Sequence, residues 1–199
     1  MIITISREYG SGGHSIGQRV AKELGIDFYD KDIIKAAVNE SGLDKAEVEK
    51  AEEEITRTGM FLRLIAPASY SDQQYYIRTI EQRFIVEVAL KGSCVILGRC
   101  ADDIMEKAGI PSLNVFLYAS DIHRAARIST LINSDNPTEI QKKMQKTDSA
   151  RRIYYEQFTE KKWGDSRNYT LCLDTGFLGY DTAVQLICDA ARKAEAFQE

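Results

Sequence analysis

The sequence lacks the residue groupings that build most metal centres, disulfide frameworks and membrane spans. It has only two histidines, His14 and His123, which excludes a histidine-rich metal site. Its four cysteines show no C-x-x-C spacing, and no signal peptide precedes them, so we expect reduced thiols and a cytoplasmic location. No apolar run approaches the roughly 20 residues that span a bilayer, so we expect no membrane association.

The charge balance disfavours another class of protein. Lys and Arg number 26 against 30 Asp and Glu, a net charge of −4, whereas general nucleic-acid binders are usually basic. We therefore expect no nucleic-acid partner, although a local basic cleft for a small phosphorylated ligand is compatible with this balance. With 199 residues, of which 44% are apolar, one domain with insertions is favoured over two independent domains.

The first 17 residues carry the clearest local pattern. An apolar run from Ile2 to Ile5 passes into the glycine-rich turn 10–13, and a segment with helical periodicity follows at once. Strand, glycine loop and helix in succession are the local plan of a phosphate-binding P-loop, in which backbone N–H groups and a helix N-terminus surround an anion. A flexible turn without a ligand is the alternative interpretation.

Further apolar runs alternate with helical patterns along the chain. Strands are predicted at 26–29, 93–97, 113–118 and 169–174. Helices are predicted at 14–24, from Asp30 or Asp32 to about 41, at 44–58, from 71 to 91, at 101–107, from Ser120 or Asp121 onward, at 138–161 and at the end of the chain. This alternation predicts an α/β fold, a P-loop NTPase-type three-layer α/β/α sandwich with a parallel five-stranded sheet.

Long stretches without a strand divide this predicted domain into three regions. We expect a core (1–29, 93–128 and 164–199), a helical insertion (30–92) and a lid (129–163). Long insertions in α/β domains usually carry substrate-binding functions. We therefore expect the insertion to bind an acceptor substrate.

Five motifs occur in an order that resembles a known family. They are Ile5-Ser-Arg-Glu-Tyr-Gly-Ser-Gly-Gly-His14, Phe28-Tyr-Asp-Lys-Asp-Ile-Ile34, Val95-Ile-Leu-Gly-Arg99, Asp148-Ser-Ala-Arg-Arg152 and Leu173-Asp-Thr-Gly176. In this order they resemble the nucleoside monophosphate kinases, most closely the bacterial cytidylate kinases and their cytidylate kinase-like relatives. The resemblance implies transfer of the γ-phosphoryl group of ATP, with Mg²⁺, to a small phosphorylated acceptor, above all CMP or dCMP.

The resemblance also implies roles for individual residues. Donor phosphates and their Mg²⁺ are assigned to the loop, whose members are Gly10, Ser11, Gly12, Gly13, His14 and Ser15, with Ser15 as the metal ligand. The acceptor is assigned to Asp30, Lys31, Arg78, Arg99, Asp148 and Arg151. Arg99, Arg151 and His14 are the implied catalytic residues, because guanidinium groups match the oxygens of a transferring phosphoryl group.

The loop departs from the full pattern G-x-x-x-x-G-K-[ST]. In that register Glu8 occupies the first glycine position, and His14 occupies the position of the lysine that contacts the β- and γ-phosphates. A neutral imidazole is a shorter and weaker substitute for an ammonium group. Arg7, Arg19 or an arginine of the lid can supply the missing charge, and the sequence leaves these three open.

A second departure follows Arg99. Cys100 stands where cytidylate kinases have an aspartate, and Asp102 or Asp103 is a candidate replacement. Cys100 itself is expected to be a small, half-buried apolar residue.

Two other functions fit the same motifs. One is a kinase of the same fold that phosphorylates a hydroxyl group of a non-nucleotide small molecule. The other is a degenerate P-loop protein that binds nucleotide as a regulatory module without kinase activity, and Glu8 and His14 are the residues that favour it.

Overall fold

The central strand of the sheet is buried over most of its length. The computed structural model describes residues 1–32, 34 and 72–196. Strand β1 (Ile2–Arg7) has four consecutive buried residues because both of its faces are covered. It pairs in parallel with β3 (Cys94–Leu97) on one side and β4 (Ser112–Tyr118) on the other.

Two shorter strands complete the sheet. Strand β2 (Asp27–Tyr29) pairs with β3, and β5 (Leu171–Asp174) pairs with β4, again in parallel. The strand order is β2-β3-β1-β4-β5, which confirms the predicted parallel five-stranded sheet. In the part of the chain that the structure describes, the helices of the fold are α1 (Gly13–Leu24), α2 (Asp72–Lys91), α3 (Ala101–Lys107), α4 (Asp121–Ile132), α5 (Pro137–Thr159) and α6 (Thr175–Ala196).

Two apolar clusters, one on each face of the sheet, produce the three layers. On one face Ile3 and Ile5 of β1 pack with Ile16 of α1 and Ile187 of α6. On the other face Ile96 of β3 belongs to a cluster with buried residues of α2 and α3. Successive strand residues point to opposite faces, so β1 serves both clusters. The predicted α/β/α architecture is confirmed.

Helices α4 and α5 pack together beside the sheet and form the α4–α5 hairpin. Ile128 of α4 packs with Ile140 and Met144 of α5 in a small third cluster. The Asn136 side chain accepts hydrogen bonds from the backbone N–H groups of Thr138 and Glu139, and Pro137 follows at the first helical position. This cap explains why α5 begins at Pro137, one residue before the predicted start.

The last predicted strand began too early. Residues 166–168 form a short 3₁₀ helix, in which Asn168 N–H donates to the Asp165 carbonyl and Tyr169 N–H to the Ser166 carbonyl. These turn hydrogen bonds delay the strand to Leu171. Strands β2, β3 and β4 differ from the predictions by a single residue at the amino end, whereas β1 extends to Arg7 instead of Ile5, and α5 ends at Thr159 instead of 161.

Asp30 caps the helical turn that follows β2. Its carboxylate accepts a hydrogen bond from Asp32 N–H at 3.0 Å, and its carbonyl accepts one from Ile34 N–H. Of the two candidate caps, the structure therefore selects Asp30. The rest of that predicted helix, the predicted helix 44–58 and the apolar residues 60–65 lie outside the described residues. Within the described ranges, no helix combines the length and apolar character required to cross a bilayer.

Candidate active site

The candidate residues collect at the carboxyl edge of the sheet. The glycine loop follows β1, Asp30 follows β2, Arg99 follows β3 and Thr175 follows β5. In open parallel α/β sheets, ligands bind outside this edge. The predicted site residues are thus brought to one place by the parallel pairing of the strands.

The glycine loop opens onto an uncapped helix. Gly12 adopts a left-handed conformation (φ 82°) at the N-cap of α1, and no side chain caps this helix. The N–H groups of Gly13, His14 and Ser15 lie in the first turn, where α-helices offer no backbone acceptor. An anion placed here would meet free donors and the positive end of the helix dipole.

Residues of α6, the helix that follows β5, contact this loop. Thr175 is buried, and its hydroxyl donates 2.8 Å to the Ser11 carbonyl and 3.1 Å to the Tyr118 carbonyl. Tyr180 of α6 lies so close to Gly12 that a Cβ atom there would stand 2.2 Å from its ring. The loop therefore requires glycine at position 12 both for its backbone angle and for the space that Tyr180 occupies.

Glu8, the residue at the first glycine position of the P-loop pattern, has a structural partner. Its carboxylate lies 3.0 Å from Arg124 Nη1 and accepts a hydrogen bond from Ala119 N–H. Arg124 is buried, and its Nε donates to the Tyr9 carbonyl at 2.9 Å. Burial raises the pKa of Glu8, although Arg124 opposes that rise. Glu8 thus fixes the start of the loop to α4.

Asp148 fixes the same segment to α5. It accepts a hydrogen bond from Tyr9 N–H at 2.7 Å and pairs with Arg124 Nη2. The sequence assigned Asp148 to the acceptor substrate, whereas its carboxylate here holds the loop. Arg151, one turn later, donates 2.9 Å to the Arg7 carbonyl, and its guanidinium lies over the Tyr9 ring.

The His14 side chain is bonded to Asp30, which follows β2. The histidine side chain is 54% exposed, and Nε2 lies 3.1 Å from Asp30 Oδ2. The ring also meets Phe28 edge-on at 5.5 Å between centroids. Asp30, assigned to the acceptor, is thus engaged by the loop histidine, and Lys31 beside it is exposed.

Outside the lid, Arg7 and Arg19 are the two residues proposed to supply the charge of the missing P-loop lysine. Arg19 lies on the surface. Its Nη2 pairs with Asp181 at 2.6 Å, and both side chains are substantially exposed. Arg7 instead runs from the end of β1 across the loop to the end of β3. A Cβ atom at Gly13 would meet Arg7 Cγ at 2.7 Å, and one at Gly98 would meet Arg7 Nη1 at 2.3 Å.

Arg78 and Arg99 share one buried carboxylate. Glu81 pairs with Arg99 Nη2, and its second oxygen lies 3.9 Å from Arg78 Nη1. Arg78 Nη1 also donates 2.9 Å to the Arg99 carbonyl, and the Tyr154 hydroxyl donates 3.0 Å to Glu81. Arg78 is 4% exposed and is therefore not a surface residue of α2. Arg78 of α2 and Arg99, which follows β3, therefore form one charged unit around Glu81.

Cys100 lies close to this charged unit but is more buried than expected, and the two aspartates that follow it bind elsewhere. Cys100 is 3% exposed instead of half-buried, and burial raises the pKa of its thiol to about 12. Asp102 accepts 2.6 Å from the Tyr155 hydroxyl, and Asp103 pairs with Lys107 and Lys161. Neither aspartate replaces the missing one, because both hold the base of α5.

Ser15 lies beside a cation that the sequence did not single out. Arg127 Nη2 of α4 lies 3.4 Å from Ser15 Oγ. Among the described residues, no three His, Cys, Asp or Glu side chains group as a metal site. Ser15 thus offers a single oxygen, which fits a Mg²⁺ ion that phosphate oxygens and waters coordinate for the most part.

Three residues of the site escaped the sequence reasoning. Arg124 and Arg127 occupy the first turns of the helix after β4, and Glu81 stands one turn after Arg78. The available signal was position: two arginines three residues apart follow a buried strand whose carboxyl end must face the loop. The i, i+3 spacing of Arg78 and Glu81 was a second signal.

Comparison with known structures agrees with this fold. A crystal structure of an uncharacterized protein from Eubacterium ventriosum matches with 25% identity and a TM-score of 0.73, covering 96% of this chain and 97% of that one. Shikimate kinase from Bacteroides thetaiotaomicron (15% identity, TM-score 0.54, 96% and 98% covered) and a gluconokinase from Sinorhizobium meliloti (17%, 0.54, 99% and 96%) share the fold.

Comparison with known sequences is more specific. No curated protein matches the chain significantly. The model of the cytidylate kinase-like family, in contrast, matches residues 2–176. The fold is that of the P-loop kinases, and the chain belongs to the cytidylate kinase-like family.

Proposed function

We propose that this protein transfers the γ-phosphoryl group of ATP to a nucleoside monophosphate, with CMP or dCMP as the preferred acceptor. The observation that carries the proposal is the pair Arg78 and Arg99 at the end of β3, which shares the single carboxylate of Glu81. Two guanidinium groups on one carboxylate leave a net positive charge beside the loop, as a phosphorylated acceptor requires.

The loop and the arginines divide the chemistry between them. The first-turn N–H groups of α1 bind donor phosphates, and the arginines hold the acceptor in line and stabilise charge on the transferring group. Arg151 of α5 extends over the same space, so its helix excludes water that would otherwise hydrolyse the donor. The insertion 30–92 supplies the remaining acceptor contacts, and residues 129–163 act as the lid.

Mg²⁺ enters with the triphosphate as part of the substrate. Ser15 is the protein oxygen that we assign to it, with phosphate oxygens and waters as the other ligands. When bound, the ion neutralises charge on the donor phosphates. The four thiols are free, as expected for a protein of the reducing cytoplasm, where we place this kinase.

A coupled kinase assay over the nucleoside monophosphates tests the proposal. We expect turnover with CMP or dCMP, and a loss of about 10²- to 10³-fold in kcat/KM for Arg99→Ala, the size seen when one charge-stabilising donor is removed. The control variant is Arg152→Ala, because Arg152 is exposed on α5. Arg152→Ala should leave turnover unchanged.

Three results would replace the proposal. Phosphorylation of a sugar or another hydroxyl metabolite, with no turnover of any monophosphate, would make the protein a small-molecule kinase. Binding of ATP with no turnover of either class would make it a nucleotide-binding module. Absence of ATP binding would remove the donor site itself.

A further inference from the structure

The P-loop register leaves a cation unaccounted for at the donor phosphates. His14, at the lysine position, is exposed and bonded to Asp30. Arg19 is taken by Asp181 on the surface. Both cations are therefore paired with carboxylates, which leaves Arg127, 3.4 Å from Ser15 Oγ, and Arg7 as the guanidinium groups beside the loop.

Arg7 passes through the gap between the donor loop and the acceptor arginines. Its aliphatic stem lies against Gly13, and its Nη1 lies against Gly98 at the end of β3. At both positions any side chain would occupy the space that Arg7 fills, since the Cβ distances of 2.7 and 2.3 Å are below contact. The two glycines leave a channel for this arginine, which ends where donor and acceptor must meet.

Arg7 has Asp30 in its electrostatic surroundings, but among the described residues no carboxylate forms an ion pair with it. Burial lowers its pKa, and the neighbouring charges of Arg151 and Arg99 lower it further, with only Asp30 acting in the other direction. Asp30 is itself bonded to His14. A partly buried guanidinium surrounded by other guanidiniums is unfavourable unless an anion joins them.

We infer that Arg7 binds the terminal phosphate of the donor triphosphate and takes the place of the P-loop lysine. The inference rests on the proposed function for the presence of that donor, and it goes beyond it in the residue that it names. An arginine at the end of β1 reaches the γ-phosphate from the sheet side, whereas a lysine at position 14 would reach it from α1. The loop is therefore complete in charge without a lysine.

Calorimetry on the full chain, with ATP, AMP and CMP in the presence of Mg²⁺, tests this. Arg7→Met keeps an aliphatic stem against the two glycines and removes the charge. We expect it to weaken ATP binding by about 10- to 10²-fold, the range for one lost charge-assisted contact. AMP binding should change less than about threefold, because AMP lacks the terminal phosphate. Arg7→Lys should recover part of the loss.

Arg19→Ala is the matched control, and thermal unfolding verifies that each variant is folded. A folded Arg7→Met that binds ATP like the wild type overturns the inference and leaves the proposed function standing. Equal weakening of ATP and AMP, or weakening of CMP binding instead, also overturns it. Selective loss of ATP binding in a protein that phosphorylates no acceptor supports the inference and removes the proposed function. If the wild-type protein binds no triphosphate, both the inference about Arg7 and the proposed function are overturned.

Discussion

Arg124 of α4 and Asp148 of α5 form an ion pair directly behind the start of the phosphate loop. Both residues also bind the backbone of Tyr9, Arg124 through the carbonyl and Asp148 through the N–H group. The loop is therefore not a free turn, because one of its flanking residues is bonded on both sides to the α4–α5 hairpin. This links the stability of the hairpin to the geometry of the donor site.

Asp148→Asn should destabilise the protein by about 1–3 kcal/mol, because the change leaves the buried Arg124 charge with Glu8 as its main partner. Urea unfolding measures the loss. Asp181→Asn breaks the exposed pair with Arg19 and should cost less than about 0.5 kcal/mol. Equal losses in the two variants would contradict the structural role of Asp148.

Gly12→Ala should lower both stability and ATP affinity. The left-handed backbone costs about 1–2 kcal/mol for a residue with a Cβ atom, and the methyl group would also collide with the Tyr180 ring. Gly109→Ala measures the cost of the left-handed backbone without a collision, since Gly109 has φ +67° with open space around it. Urea unfolding should show the larger loss for Gly12→Ala, and adding Tyr180→Ala should restore part of the difference. Equal losses of stability for Gly12→Ala and Gly109→Ala would show that the protein relieves the collision between the new methyl group and the Tyr180 ring.

Much of this site follows from local pattern. The buried run Val95-Ile-Leu97 predicts a central strand, and a central parallel strand must deliver Arg99 to the carboxyl edge of the sheet. The glycine turn after Ile5 predicts the loop on the same principle. Such predictions require only the positions at which strands end, and the pattern of apolar residues in the sequence gives those positions.

Pairings between distant side chains follow from no local pattern. The course of Arg7 depends on the absence of a side chain at Gly98, and Asp148 reaches Arg124 only because α4 and α5 pack together. Asp102 and Asp103 follow Arg99 closely in sequence, yet the turn of α3 directs both to the base of α5. Chain proximity predicted a role in the site for them, and tertiary packing gave them another.

The buried carboxyl of Asp102 should give the protein a characteristic pH dependence. Burial raises its pKa, although the Tyr155 hydroxyl opposes the rise by donating to it. The folded chain then holds a proton that the unfolded chain releases, so this contribution to stability is full below the ordinary aspartate pKa. It is lost as the pH rises through the raised value.

Urea unfolding of Asp102→Asn across pH 4–8 measures this contribution. The variant should lose less stability with rising pH than the wild type. Asp165→Asn is the control, because Arg167 lowers the pKa of Asp165, so its contribution to stability is lost only below the ordinary aspartate pKa and should leave the slope across pH 4–8 unchanged. Parallel pH profiles for the wild type and Asp102→Asn would refute the assignment.

His14→Lys restores the usual P-loop residue, and its effect depends on what Arg7 already supplies. In the wild-type background we expect a change in ATP affinity below about threefold, because the terminal phosphate already has its cation and His14 is held outside by Asp30. In the Arg7→Met background the same lysine should recover most of the lost affinity. Calorimetry on the four proteins of this double-mutant cycle measures the coupling between the two positions. A gain of tenfold or more from His14→Lys alone, or additive effects in the cycle, would show that the histidine leaves the donor site short of charge and that Arg7 acts elsewhere.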